Sequence, residues 1–181
     1  MTMEKPVELV PRAFTRREKT SIRQDVKRFE KIGRDHGCVS MEDFAHFVSD
    51  RVKSNSAGGL TSSSKELIRG LAVYFGEQLL YNTTLARLAV DFVDDDSTLR
   101  SAIAWHEENP GGVLVDRFAG QSVFAPSIIL ERLDESHRWP VSLDEILDQI
   151  IDWNHGYLFR EEVETLFITG EDIEPDASMA A

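Results

Sequence analysis

One stretch, Leu67–Val93, restricts the possible folds more than any other part of the chain. It reads LIRGLAVYFGEQLLYNTTLARLAVDFV and is the most apolar segment present. Leu67, Leu71, Phe75 and Leu79 recur at helical spacing, and Ile68, Ala72 and Leu80 widen the stripe past one face. A stripe that wide belongs to a helix covered on more than one side, so a central helix is expected over 63–82. Beyond Asn82 the period falls to two, with Leu88, Val90 and Phe92 alternating against Ala89 and Asp91, which is a strand pattern. A buried helix running into a strand builds a core and carries no catalytic signature.

The elements around it follow from local signals. Residues 1–14 contain Pro6 and Pro11 without periodicity and read as a flexible arm. Thr15 with Glu18 forms a capping box that opens a helix whose narrow seam is Ile22, Val26, Phe29 and Ile32. Ser40 with Asp43 opens a second helix, with Val39 placed to staple onto Phe44. These two helices form a hairpin, 15–53, with too little apolar surface to stand alone, so it is expected to pack on the rest. The run SNSAGGLTSSS predicts a flexible linker at 54–62, and Ser63 with Glu66 is expected to cap the central helix.

The main domain is expected over 63–170. After the strand at about 87–93 comes the turn Asp94–Ser97, followed by a segment, 97–108, that fits strand or helix and is assigned here to strand. Asn109–Gly112 is a turn; Val113–Asp116 and Gln121–Phe124 read as short strands. Pro126 sits where a first-turn proline belongs. Ser142 with Glu145 starts another helix, with Val141 placed to staple onto Ile146, and a last helix carries Val163, Leu166 and Phe167. The tail 171–181 is acidic and expected to be disordered. The fold class is therefore α+β: helical hairpin, central buried helix, small antiparallel sheet and C-terminal helices.

Charge is unevenly spread. Residues 1–53 hold twelve Lys/Arg against nine Asp/Glu, a net of +3; residues 54–181 hold eight against twenty-three, a net of −15. The acidic body repels nucleic-acid phosphates, so nucleic acid is not the expected partner. Asp94, Asp95, Asp96, Glu107 and Glu108 are the expected partner-binding acids. On the first helix Arg16, Arg23, Lys27 and Arg34 form a basic ridge, expected to be a solvated face or to dock on the acidic remainder of the chain. No apolar run approaches the roughly 18–20 residues of a membrane span, and no apolar signal region opens the sequence. The single cysteine, Cys38, rules out an intramolecular disulfide and suits the cytoplasm.

The chemical motifs fail on spacing. Counting an EF-hand loop from Asp91 puts Asp96 where glycine is needed and Ala102 where glutamate is needed. His106-Glu107-Glu108 begins a zinc-protease motif, but Pro110 stands where the second histidine belongs. Asp43, His46 and Asp50 share a helical face without matching a metal-ligand motif. Cys38 follows His36-Gly37, and no third group can be named to orient them. Neither a metal nor a cofactor is expected. Trp105, Trp139 and Trp153 read as core or groove rim.

Gly76-Glu77 on a buried helix, short strands, then Phe124-x-Pro126 leading to Ile129-x-x-Arg132-Leu133, resembles an uncharacterised bacterial domain family over about 66–152. The resemblance implies a Gly-Glu helix, a small sheet, a proline-started helix and a bacterial source, and implies no activity. The chain departs from it with Thr84-Leu85-Ala86-Arg87, where such domains place a tryptophan near the first strand. The leading functional expectation is an acidic cytoplasmic protein-binding module, immunity-like or antitoxin-like, neutralising a basic protein. The alternatives are an enzyme or small-ligand domain with a site assembled from distant residues, and a regulator using the basic helix 15–34 on nucleic acid.

Overall fold

The computed structural model describes residues 9–92, 109, 112–116, 122–135 and 142–168. In chain order these form β1 (Leu9–Arg12), α1 (Arg16–Asp35), α2 (Met41–Arg51), α3 (Ser62–Asn82), β2 (Leu85–Phe92), β3 (Val113–Asp116), β4 (Ser122–Phe124), α4 (Pro126–Glu135) and α5 (Leu143–Asn154), followed by two short 3-10 turns at Arg160–Glu162 and Glu164–Leu166. The architecture is α+β, with helices gathered around α3 and one antiparallel sheet.

Helix α3 is central because its apolar residues occupy every side. It touches α1, α2, α4, α5 and β2. Leu71, Phe75 and Leu79 are wholly inaccessible, and Gly70, Ala72, Val73, Tyr74 and Gly76 are buried beside them. Two glycines let the N-terminal helices approach closely. A Cβ on Gly33 of α1 would run into the Phe44 ring of α2, and one on Gly70 of α3 would stand 2.5 Å from Phe29 Cδ2 of α1. Phe29, Phe44 and Tyr74 fill the space so created, with ring centroids 4.6–5.8 Å apart. Arg34 of α1 pairs with Glu30 at the exposed rim of the same helix.

Both predicted hairpin caps form: Thr15 Oγ1 accepts from the Glu18 amide, and Ser40 Oγ accepts from the Asp43 amide. Val39 does not staple. It is 77% exposed, and its amide donates to Asp43 Oδ2 at 2.9 Å, which turns the residue outward while Phe44 packs on α1. The α3 cap is Thr61 rather than Ser63, because Thr61 Oγ1 takes the Ser64 amide. Ser64 Oγ is itself held by the Lys53 amide at 2.8 Å. The expected flexible linker at 54–62 is a closed turn instead. Asn55 Oδ1 accepts from the amides of Ala57 and Gly59, the local bonding by which asparagine stabilises turns, and Ser54 bridges Leu60.

The sheet has the order β1-β2-β3-β4, all antiparallel. Leu85 pairs with Asp116 and Leu88 with Val113; the β3–β4 register shifts between Leu114 and Val115. Leu85, Leu114 and Phe124 turn into the core shared with α3. The first strand corrects the reading of residues 1–14 as a loose arm. Leu9–Arg12 pairs along β2 from Leu9↔Phe92 to Arg12↔Ala89. The strand is an edge strand, the place in a sheet where Pro11 is tolerated. The expected last helix is also corrected to two 3-10 turns, which still bury Val163 and Phe167. Arg132 Nη1 of α4 donates to the carbonyls of Thr165 and Phe167 and so holds that segment in place.

No helix among the described residues is long and apolar enough to cross a membrane. The segment 97–108, Val141, Trp105, Trp139 and the tail 171–181 lie outside the described residues.

Candidate functional site

Helix α1 turns its buried side, Phe29 and Gly33 with half-buried Ile22 and Val26, toward α3. At 3.6 residues per turn this leaves Arg16, Arg23, Lys27 and Arg34 together on another face. All four are exposed. They are not equivalent. Arg34 is paired with Glu30 at 2.9 Å, and that bond raises its pKa. Its neighbours Arg28 and Lys31 are also paired within the helix, with Asp25 at 3.7 Å and Asp35 at 3.1 Å. Arg16, Arg17, Lys19, Arg23 and Lys27 make no ion pair among the described residues. No ridge residue pairs with a described carboxylate of residues 54–181, as docking on the chain's own body would require. Arg16 and Arg17 instead line an open depression with Thr20, Ser21 and Gln24.

The expected partner-binding acids Asp94, Asp95, Asp96, Glu107 and Glu108, with His106, lie outside the described residues. A second acidic surface, overlooked when the sequence alone was read, is described in full. Helix α5 carries Asp144, Glu145, Asp148 and Asp152 and no Lys or Arg. Leu143, Ile146 and Ile150 are buried, which fixes the helix rotation and leaves Glu145, Asp148 and Asp152 exposed within one face. None of the three is in an ion pair among the described residues. Asp144 has a different task. Its carboxylate accepts the Met41 amide at 3.0 Å and the Glu42 amide at 2.9 Å, capping α2 from across the fold. Asp43 caps the same helix end from within, and its pKa falls because the backbone amides of Ser40 and Val39 donate to it.

The chain leaves α5 through His155 and Gly156, the latter at φ +86°. Tyr157 and Phe159 then stand 79% and 78% exposed. Trp153, one turn back, points inward and meets Phe124 and Phe167 edge-on at 5.5 and 5.2 Å. Asn154 ties this end to the start of β2 through paired hydrogen bonds with Thr84. The acidic helix is thus followed in the chain by two exposed aromatic rings. In sequence, the signal was the spacing of acids at 144, 145, 148 and 152 without an intervening base.

The remaining candidates are structural. Cys38 is buried with its Sγ donating to the Asp43 carbonyl; burial and the nearby Asp43 charge push its thiol pKa up, which lowers its thiolate fraction. Of the face Asp43, His46 and Asp50, Asp43 is committed to capping and His46 lies 3.7 Å from Glu42. Arg87 of β2 has a side chain only 8% exposed; it contacts Glu77 at 3.4 Å and donates to the Val73 carbonyl at 3.2 Å. Burial lowers its pKa and Glu77 opposes this. A Cβ on Gly76 would stand 3.0 Å from both Arg87 Nη2 and Pro126 Cγ. The Gly-Glu and Phe-x-Pro motifs therefore meet at one brace between α3, β2 and α4.

No family model, curated protein or solved structure matches the chain. The resemblance over 66–152 thus rests on short motifs whose described members serve packing.

Proposed function

We propose that this protein is a protein-binding module whose acidic body engages a basic protein partner, in the immunity-like or antitoxin-like sense of masking that partner's charge. The observation that carries the reading is the α5 face: Glu145, Asp148 and Asp152 exposed and without an ion pair among the described residues, on a helix braced by buried Leu143, Ile146 and Ile150. Unpaired carboxylates of one sign steer a cationic partner into encounter and orient it. The rings of Tyr157 and Phe159 supply what charge alone does not, since exposed aromatic anchors accept cations and exclude water at a contact. A reducing compartment such as the cytoplasm suits the lone, buried Cys38.

The test is a capture experiment from native lysate, run at low and high salt with wild type, Asp148→Lys/Asp152→Lys and Tyr157→Ala/Phe159→Ala. A basic protein retained at low salt, released at high salt and lost in both variants supports the reading. Capture of the same proteins by all three forms refutes it.

A further inference from the structure

The cations of α1 divide into two sets. Arg28, Lys31 and Arg34, in its C-terminal half, are each neutralised by Asp25, Asp35 and Glu30 of the same helix. Arg16, Arg17, Lys19, Arg23 and Lys27 have no ion pair among the described residues, and all five are exposed. Of these, Arg16, Arg23 and Lys27 lie together on one exposed face of a helix packed against α3.

We propose that the partner of this face is the acidic α5 face of a second copy of the chain, so that the protein self-associates through α1–α5 contacts; the proposal rests on the acidic docking surface argued above. The spacings fit. Arg23 and Lys27 are four residues apart, as are Asp148 and Asp152. At about 1.5 Å per residue the two charges lie about 6 Å apart on both helices. Two helices laid side by side can therefore match this pair of cations to this pair of anions. Within one copy no ion pair joins α1 to α5 among the described residues. A two-fold arrangement makes the contact twice and closes as a dimer.

The test is sedimentation equilibrium of the full chain at about 25 mM and about 500 mM salt, where screening shortens from about 20 Å to about 4 Å. Wild type should dimerise at low salt with a dissociation constant that rises at least about tenfold at high salt. Arg23→Glu/Lys27→Glu should be monomeric, as should Asp148→Lys/Asp152→Lys, while the two pairs combined should recover the dimer. Thermal melts of each variant verify folding, which exposed positions should preserve. Failure of the combined variant to recover the dimer overturns the proposal. Retention of a random DNA duplex by wild type that Arg23→Glu/Lys27→Glu abolishes assigns the ridge to phosphate and also overturns it. Oligolysine binding separates this inference from the reading beneath it. Monomeric wild type that binds oligolysine more tightly than Asp148→Lys/Asp152→Lys overturns only self-association. Equal binding by the two forms removes the acidic surface, and self-association with it.

Discussion

Replacing Gly70 by alanine sets two known effects against each other, and the structure decides the sign. In a helix interior, Ala is favoured over Gly by about 1 kcal/mol. Against this, the added Cβ would lie 2.5 Å from Phe29 Cδ2, 3.0 Å from Cγ and 3.2 Å from Cβ. Carbon atoms in contact prefer about 3.5–4.0 Å. Rotating the ring does not relieve the clash, because the Phe29 Cβ is itself too near. The ring is confined by Phe44 at 5.4 Å and Tyr74 at 5.8 Å, and Phe29 is 4% exposed. Helix α1 must therefore move away from α3. Overpacking costs about 1–3 kcal/mol, and a confined ring with its Cβ also too near places this case in the upper half, about 2–3 kcal/mol, so a net loss of about 1–2 kcal/mol is expected after the helical gain. In urea titrations the midpoint should fall with an unchanged slope. Gly59→Ala is the control: its nearest neighbour would be 3.5 Å away, and its effect should stay within about 0.5 kcal/mol. In a double-mutant cycle, Phe29→Leu should recover part of the Gly70→Ala loss. A Gly70→Ala protein as stable as wild type, or more stable, would refute the close α1–α3 contact.

Two further predictions concern charged groups. Arg87→Met should change stability by less than about 1 kcal/mol or raise it, since the buried guanidinium's Nε has no partner among the described residues and half-exposed Glu77 can return to water; a loss above about 3 kcal/mol in chemical denaturation would make that charge indispensable. Asp43, whose folded pKa is depressed by the amides it accepts, contributes stability that is full above the ordinary carboxylate range and is lost as pH falls through its lower folded value. Urea midpoints from about pH 7 to about pH 3 should therefore fall less steeply for Asp43→Asn than for wild type, and parallel curves would count against the cap.

Sequence and structure agree where a segment's own pattern dominates its energetics. The wide stripe from Leu67 to Leu80 placed the central helix within one residue of its observed start. The turn residues and Pro126 located β3, β4 and α4 because each acts on its own backbone. The misses share a different cause. Strand β1 has only Leu9 and Val10 as apolar signal ahead of its own Pro11; its pairing is supplied by β2, about eighty residues away. The α3 cap fell on Thr61 because Ser64 is held by Lys53, a choice that a run of serines and threonines does not reveal. Val163, Leu166 and Phe167 fit helical spacing equally well in 3-10 turns, and Arg132 grips carbonyls there from another element. The charged surfaces were half legible. Spacing alone placed Arg16, Arg23, Lys27 and Arg34 on one face, yet only the structure distinguishes paired Arg34 from the three that have no ion pair among the described residues.

Asp144 is where the fold and the proposed surface meet, and it offers a way to separate them. Its sequence neighbours Glu145 and Asp148 face outward, whereas Asp144 spends both oxygens on the first amides of α2. Those amides form the positive end of a helix, so the carboxylate offsets both unsatisfied donors and the helix dipole. Hydrogen bonds to a charged group contribute about 1.5–3 kcal/mol each when buried and less when exposed; the Glu42 bond is exposed and the Met41 bond part-buried. Asp43 still caps the same end in the variant, so Asp144→Ala should cost about 2 kcal/mol in total. Asp144→Asn, which keeps one acceptor and loses the charge, should fall between. Capture of a basic partner, measured well below the melting temperature, should stay near wild type in both, because Asp144 is not among the outward acids. Asp148→Lys/Asp152→Lys should show the reverse: weakened capture at nearly unchanged stability. If Asp144→Ala abolished capture while leaving the melt in place, the partner would be reading the α2 end rather than the outward face of α5, and the proposed surface would be misplaced.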